Sequence, residues 1–142
     1  MTVWVVVADS VRARIFSTES SREPLREVRD LVHPESRMPE QALISDASGS
    51  GRSAAGGGHS FGVEGEAKTH ETERFAREVG EALCEAGGRQ QFDRLHILAA
   101  PTFLGQLRPH LESVSARVSS EHALSVTHES VAQIRARLPA RI

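Results

Sequence analysis

The chain opens with an uninterrupted apolar segment, residues 3–7, in which four of the five positions are valine. β-branched residues favour extended backbone, and an apolar run without alternation is typical of a strand buried on both faces. Such a strand lies inside a parallel or mixed sheet that is covered by helices on both sides. Because Asp9 follows closely, the run is also too short for a signal peptide or a transmembrane helix.

Two more extended segments follow, residues 12–18 and 25–33, and short turns separate them. We interpret the three segments as an antiparallel meander. Leu25 and Val28 fall out of strict alternation in the third segment, which predicts either a β-bulge or one frayed strand end.

The second half of the chain alternates between helical and extended patterns. Thr69 is the predicted N-cap of a helix that ends at Gly87-Gly88. Pro101 is predicted at the start of a second helix that Pro109 interrupts, and Thr127 is predicted to cap a third. Between these helices, residues 95–100 predict a buried strand and residues 118–126 a weaker one.

The order β-β-β-loop-α-β-α-β-α predicts an α/β fold, a mixed sheet of about five strands flanked by helices. At 142 residues the chain fits a single domain, 1–142. We expect one common core that holds apolar residues from both strands and helices: Val5, Val7, Phe75, Val79, Leu83, Ile97 and Leu104.

A long segment between the third strand and the first helix has few apolar residues. Gly, Ser, Ala and Pro dominate residues 34–68, and we expect a flexible Gly-rich loop over about residues 45–68. Loops of this length in compact domains are usually functional or disordered, so a functional loop and a plain linker both remain open. The run Gly56-Gly57-Gly58 is not a P-loop, since no strand precedes it and no Gly-Lys-Ser/Thr follows it.

Composition narrows the possible partners and compartments. The net charge of −2 argues against a dedicated nucleic-acid-binding protein, although local basic patches remain possible. Lys68 is the only lysine, so nearly all basic residues are arginines. Cys84 is the only cysteine, which suits a reducing compartment and a small core residue inside a helix. We therefore expect a cytoplasmic protein with no membrane segment.

The seven histidines give no spacing typical of a metal site, and the sequence predicts neither a metal nor a cofactor. His96 alternates within a predicted strand, and we expect it to be partly buried or at the sheet edge. A Gly-x-Ser-x-Gly nucleophile elbow is also absent from the sequence.

Ordered segments along nearly the whole chain resemble the bacterial host-attachment protein family, which is named for a role in attachment to host cells. These segments are VVVADS (5–10), ARIF (13–16), DLVHPESR (30–37), HETERFARE (70–78), FDRL (92–95) and AAPTFLG (99–105). That family is in turn similar to the middle domain of archaeal and eukaryotic peptide-chain release factors. The resemblance implies a mixed sheet with a long loop leading into a helix.

In release factors this loop carries Gly-Gly-Gln and promotes hydrolysis of the ester in peptidyl-tRNA. Here Gly57-Gly58-His59 stands at a comparable place, with His59 where the release factors have Gln. The resemblance therefore implies Gly57, Gly58 and His59 as the candidate catalytic residues. A Gly amide could face a developing oxyanion, and His59 could orient or deprotonate a water.

Basic residues around the same segment are candidates for phosphate contacts. They are Arg52, Lys68, Arg74 and Arg77. The partner implied is the ribosome or a tRNA, and an unidentified protein partner is the alternative.

Three functions thus compete: a release-factor-like domain acting in termination or rescue, a non-catalytic adaptor or regulator that affects attachment indirectly, and a direct adhesin. The absence of an export signal makes the adhesin the weakest of the three. Oligomeric state is left open.

Overall fold

The computed structural model describes the backbone of residues 1–33 and 56–142, and side chains in residues 1–33 and 69–142. In these ranges the chain forms five strands, three α-helices and two 3-10 helices. The strands are β1 (Val3–Ala8), β2 (Arg12–Thr18), β3 (Arg26–Val32), β4 (Arg94–Ala99) and β5 (Val118–Ala123). The helices are α1 (Gly56–Gly88), α2 (Pro101–Leu107) and α3 (Val131–Ala136), with 3-10 turns at Arg108–His110 and Glu112–Arg117.

The five strands form one mixed sheet in the order β3-β2-β1-β4-β5. β1, β2 and β3 are antiparallel neighbours, which confirms the predicted meander. β4 pairs parallel with β1, and β5 pairs parallel with β4. The register between β2 and β3 shifts opposite Val28, so the irregularity predicted there is a bulge in the strand.

Every residue of β1 is buried, as its apolar run predicts. Because strand side chains alternate between faces, β1 contributes to two separate cores. Trp4 and Val6 pack beneath α1 and α2, whereas Val5 and Val7 pack on the opposite face beneath α3.

The predicted core set is buried as expected, but the prediction of one common core is wrong. Phe75, Val79, Leu83, Ile97 and Leu104 lie on the α1 side. Val5 and Val7 lie on the α3 side, because alternate side chains of β1 point to opposite faces of the sheet.

Three predicted helix boundaries can be compared with the structure. Gly88 ends α1, and the 3-10 turn at Pro109 follows α2 directly, as predicted. The N-cap prediction for Thr69 is wrong, because α1 begins at Gly56 and Thr69 lies within it. The flexible loop was predicted over about residues 45–68. Residues 45–55 of it lie outside the described residues, and residues 56–68 belong to α1, so the prediction of a loop is wrong for that part.

The cap of α3 is Ser130, so the prediction for Thr127 is also wrong. The Ser130 side chain accepts the Gln133 N–H, and Gln133 Oε1 accepts the Ser130 N–H, which makes a reciprocal capping box. Thr127 has a different role, because its hydroxyl donates to Asp9 Oδ2 at 2.6 Å. That bond ties the segment before α3 to the end of β1.

None of the helices in the described part of the chain is both long enough and apolar enough to cross a membrane.

Candidate functional site

The residues predicted to act catalytically lie at the start of α1. Gly57, Gly58 and His59 belong to its first helical residues, and only their backbone is described. Lys68 lies further along α1, and only its backbone is described as well. Arg52 lies outside the described residues.

Arg74 and Arg77, the two other predicted phosphate ligands, are exposed on α1. Arg74 Nη1 lies 3.4 Å from Glu71 Oε1, and Arg77 forms no ion pair with any described residue. The exposed surface of the same helix also carries Glu73 and Glu78. The described part of α1 thus presents a surface of mixed charge.

A cleft of about 380 Å³ opens at the carboxyl ends of the three parallel strands. Asp9 and Ser10 follow β1, Thr102 lies just after β4, and Ser125 follows β5. Thr69 of α1 completes this wall, only one residue beyond Lys68. Ligands of open α/β sheets bind at this edge, outside the carboxyl ends of parallel strands.

Asp9 builds the floor of the cleft. Its Oδ1 accepts the N–H groups of Val11 and Arg12 at 2.8 and 3.0 Å, which closes the turn between β1 and β2. Its Oδ2 accepts the Thr127 hydroxyl, as described above. Since both oxygens are already used within the protein, the Asp9 carboxylate holds the cleft in shape rather than facing it with a free acceptor.

His33 is hydrogen-bonded to the same turn, although no role was predicted for it from the sequence. It is buried, and its Nδ1 donates to the Ser10 carbonyl oxygen at 2.9 Å. Its ring stacks on Phe75 with centroids 4.9 Å apart and an interplanar angle of 7°. Its Nε2 lies 3.9 Å from Glu71 Oε2. His33 therefore couples the end of β3 to both the cleft turn and α1.

A second polar cluster lies in the sheet between β4 and β5. His96 Nδ1 is hydrogen-bonded to Ser120 Oγ at 2.6 Å, and the same oxygen is 3.1 Å from His122 Nε2. His96 is only 3% exposed, so the prediction of a partly buried or edge position is wrong. β5 covers that edge of β4, and the flanking Leu95 and Ile97 are the sequence signal for full burial.

Burial is the main reason that the pKa of His96 lies below its usual value. Positive charge on His122, Arg94 and Arg135 lowers this pKa further. His96 is thus held neutral, and its Nε2 is buried without a hydrogen-bond partner in the structure.

We expect the free energy of unfolding to fall as the pH is lowered from about 7.5 to about 5. In that window the unfolded chain, whose His96 has an ordinary pKa near 6.5, binds more protons than the folded chain. His96→Asn should make the urea midpoint less dependent on pH, and the exposed-site control His70→Asn should not. Equal pH slopes for His96→Asn and the wild type would contradict this assignment.

Comparison with known proteins finds no match among curated proteins. One family profile, described as "Protein required for attachment to host cells", matches residues 4–138. The match includes all five strands, α1, the cleft and the His96 cluster. Because it spans nearly the whole chain, this protein belongs to the family of proteins required for attachment to host cells.

Proposed function

We propose that this protein is a release-factor-like domain that binds the ribosome or peptidyl-tRNA through Gly57, Gly58 and His59, in termination or rescue. The observation that carries the proposal is the continuity of α1 from Gly56 to Gly88. The C-terminal part of this helix is fixed in the core by Phe75 and Leu83. A motif at its N-terminal end would therefore be presented to a partner by an element that is anchored in the domain.

The backbone at the start of α1 suits the proposed chemistry. The first N–H groups of a helix have no acceptor within the helix, and this holds for the Gly57 and Gly58 amides of α1. Such donors can stabilise the oxyanion that forms when water attacks the ester of peptidyl-tRNA. His59 would orient that water or accept its proton, and the products are the free peptide acid and the tRNA 3′ hydroxyl.

Binding would rely on few phosphate contacts. Arg74 and Arg77 are exposed, and Arg52 and Lys68 would add two more cations. Each phosphate that is neutralised releases counterions, so binding should weaken as salt rises, with a shallow slope of a few units at most. Arg77 is the stronger candidate contact, because Arg74 already faces Glu71.

The test is release of labelled peptide from peptidyl-tRNA on ribosomes, run alongside co-sedimentation at low and high salt. His59→Ala should abolish release while leaving ribosome binding intact, since it removes the group that handles the water. His59→Gln, which creates Gly-Gly-Gln, should retain release. Arg77→Ala should weaken co-sedimentation, whereas Arg89→Ala, just beyond the C-terminal end of α1 and paired with Glu85, should not.

Two results separate the hydrolytic function from its alternative. Ribosome binding without any release by the wild type would leave a non-catalytic adaptor or regulator. The mixed charge of the exposed α1 surface is compatible with that alternative, because it suits a protein partner as well as RNA. A protein that neither binds ribosomes at low salt nor releases peptide would contradict both ribosomal functions.

A further inference from the structure

The cleft at the carboxyl ends of β1, β4 and β5 has features of a small-molecule site that do not involve Gly57, Gly58 or His59. We infer that it binds an uncharged ligand through the hydroxyl groups of a sugar ring, supplied either by a free sugar or by a ribonucleoside. Its volume of about 380 Å³ is near the lower end of the range for small-molecule sites. This size suits one sugar ring with at most one attached base.

The cleft contains hydroxyl groups that have no hydrogen-bond partner in the described chain. Ser10, Thr69, Thr102 and Ser125 all line it, and none of their hydroxyls hydrogen-bonds to another group of the described chain. Several hydroxyls elsewhere in the fold have structural partners, as those of Thr127 and Ser130 do. Four unpaired hydroxyls from two loops and two helices converge here, and each can both donate and accept.

Gln106 on α2 adds an amide to the same wall. Its Oε1 is buried and has no hydrogen-bond partner in the structure. A buried acceptor left unpaired is destabilising, so rotation of the amide toward a ligand donor would be favourable. A ligand hydroxyl is a donor of this kind.

Charge argues against an anionic ligand. Asp9 is the one ionisable residue among the described lining residues, and its carboxylate is already occupied by Val11, Arg12 and Thr127. No Arg or Lys among the described residues lines the cleft, so none of these residues would supply a counter-charge to a phosphate. An uncharged ligand meets neither problem.

The remaining wall is apolar, formed by Val11, Ala100 and Phe103. Sugar rings have apolar faces of C–H groups between their hydroxyls, and nucleobases are flat. A mixture of unpaired hydroxyls and apolar surface therefore fits these ligands better than it fits a small polar ion.

The test is a titration of the full-length, isotope-labelled protein with ribose, glucose, adenosine, 2′-deoxyadenosine and adenosine 5′-monophosphate, followed by NMR. We expect adenosine or a sugar to cause saturable chemical-shift changes centred on residues 9–11 and 100–106. Adenosine binding better than either sugar would identify the nucleoside as the source, and the reverse would identify a free sugar. The 5′-monophosphate should bind no more tightly than adenosine.

Hydroxyl recognition predicts which changes weaken binding. Loss of the 2′ hydroxyl from the nucleoside, or Thr102→Val or Gln106→Leu in the protein, should each raise the dissociation constant about fivefold or more, the worth of one net hydrogen bond. Ser119→Ala removes an exposed hydroxyl outside the cleft and should leave binding unchanged. Thermal melting of each variant checks that it is folded.

The inference is overturned if no sugar or nucleoside shifts the cleft resonances at concentrations up to about 10 mM. It is equally overturned if Thr102→Val and Gln106→Leu, both folded, bind as the wild type does, or if the monophosphate binds more tightly than adenosine. None of these outcomes depends on ribosome binding, so the inference and the proposed function can fail separately.

Discussion

Phe75→Ala is expected to lower the free energy of unfolding by about 3–5 kcal/mol, the range for truncating a fully buried aromatic side chain. Phe75 is 1% exposed. Its ring stacks on His33 and lies 5.7 Å from the ring of Phe103. It thus joins the end of β3, the middle of α1 and the start of α2. Urea denaturation of the two proteins, followed by circular dichroism, measures the difference.

Matched variants show whether the loss comes from the cavity. Phe75→Leu keeps most of the apolar volume and should cost less than the alanine variant. Val28→Ala, at the bulge of β3 where the side chain is 41% exposed, should change stability by no more than about 0.5 kcal/mol. A midpoint for Phe75→Ala close to that of the wild type would mean that Phe75 does not pack between these elements.

Loss of the Phe75 ring should also weaken ligand binding in the cleft. The ring supports His33, and His33 holds the Ser10 carbonyl at the cleft turn. A cleft that loses this support should bind its ligand less well even where the domain remains folded.

Strands and turns with strong local signals were predictable from the sequence. The valine run predicts β1 because its residue types and its lack of alternation are local properties. The bulge opposite Val28 was predictable because a break in alternation is visible within one strand. Pro101 and Pro109 mark the start of α2 and the break after it, since proline restricts its own backbone in any context.

Features that depend on contacts between distant segments were not predictable in the same way. Thr127 and Ser130 are both competent caps. Ser130 caps α3, whereas the Thr127 hydroxyl donates to Asp9, a residue far away in the sequence. The division of the core into two clusters depends on which face of the sheet each helix covers. That is set by how the helices connect the strands, which the sequence pattern of a single element does not show.

The cleft escaped sequence analysis because each of its polar residues looks like ordinary turn chemistry. Ser10, Thr102 and Ser125 are far apart in sequence and meet only because β1, β4 and β5 are parallel. The signal available in the sequence was the recurrence of hydroxyl residues just after successive strands. His33 was missed for a similar reason, since its partners Ser10 and Phe75 come from other elements.

Among the three glycines of α1 whose surroundings are described, Gly80, Gly87 and Gly88, Gly80 is expected to tolerate substitution least. A Cβ at this position would lie 2.4 Å from His110 Cβ and 2.9 Å from the His110 carbonyl oxygen. The 3-10 turn that contains His110 therefore approaches α1 closely, and Cys84 Sγ, one turn further along, also contacts the His110 carbonyl oxygen at 3.2 Å. A side chain at residue 80 can be accommodated only if this turn moves away.

We therefore expect Gly80→Ala to destabilise the protein by about 1–3 kcal/mol, the usual cost of overpacking. This is the reverse of the helix-propensity effect, which favours alanine over glycine by about 1 kcal/mol in a helix interior. Gly105→Ala in α2 is the matched control, because its Cβ would meet no atom within 4 Å and only the propensity gain should remain. Opposite signs of the two changes in urea midpoint would establish the close approach. A stabilising Gly80→Ala would instead place the turn around His110 further from α1, and would remove the reason for a glycine in the middle of the helix that carries the proposed functional motif.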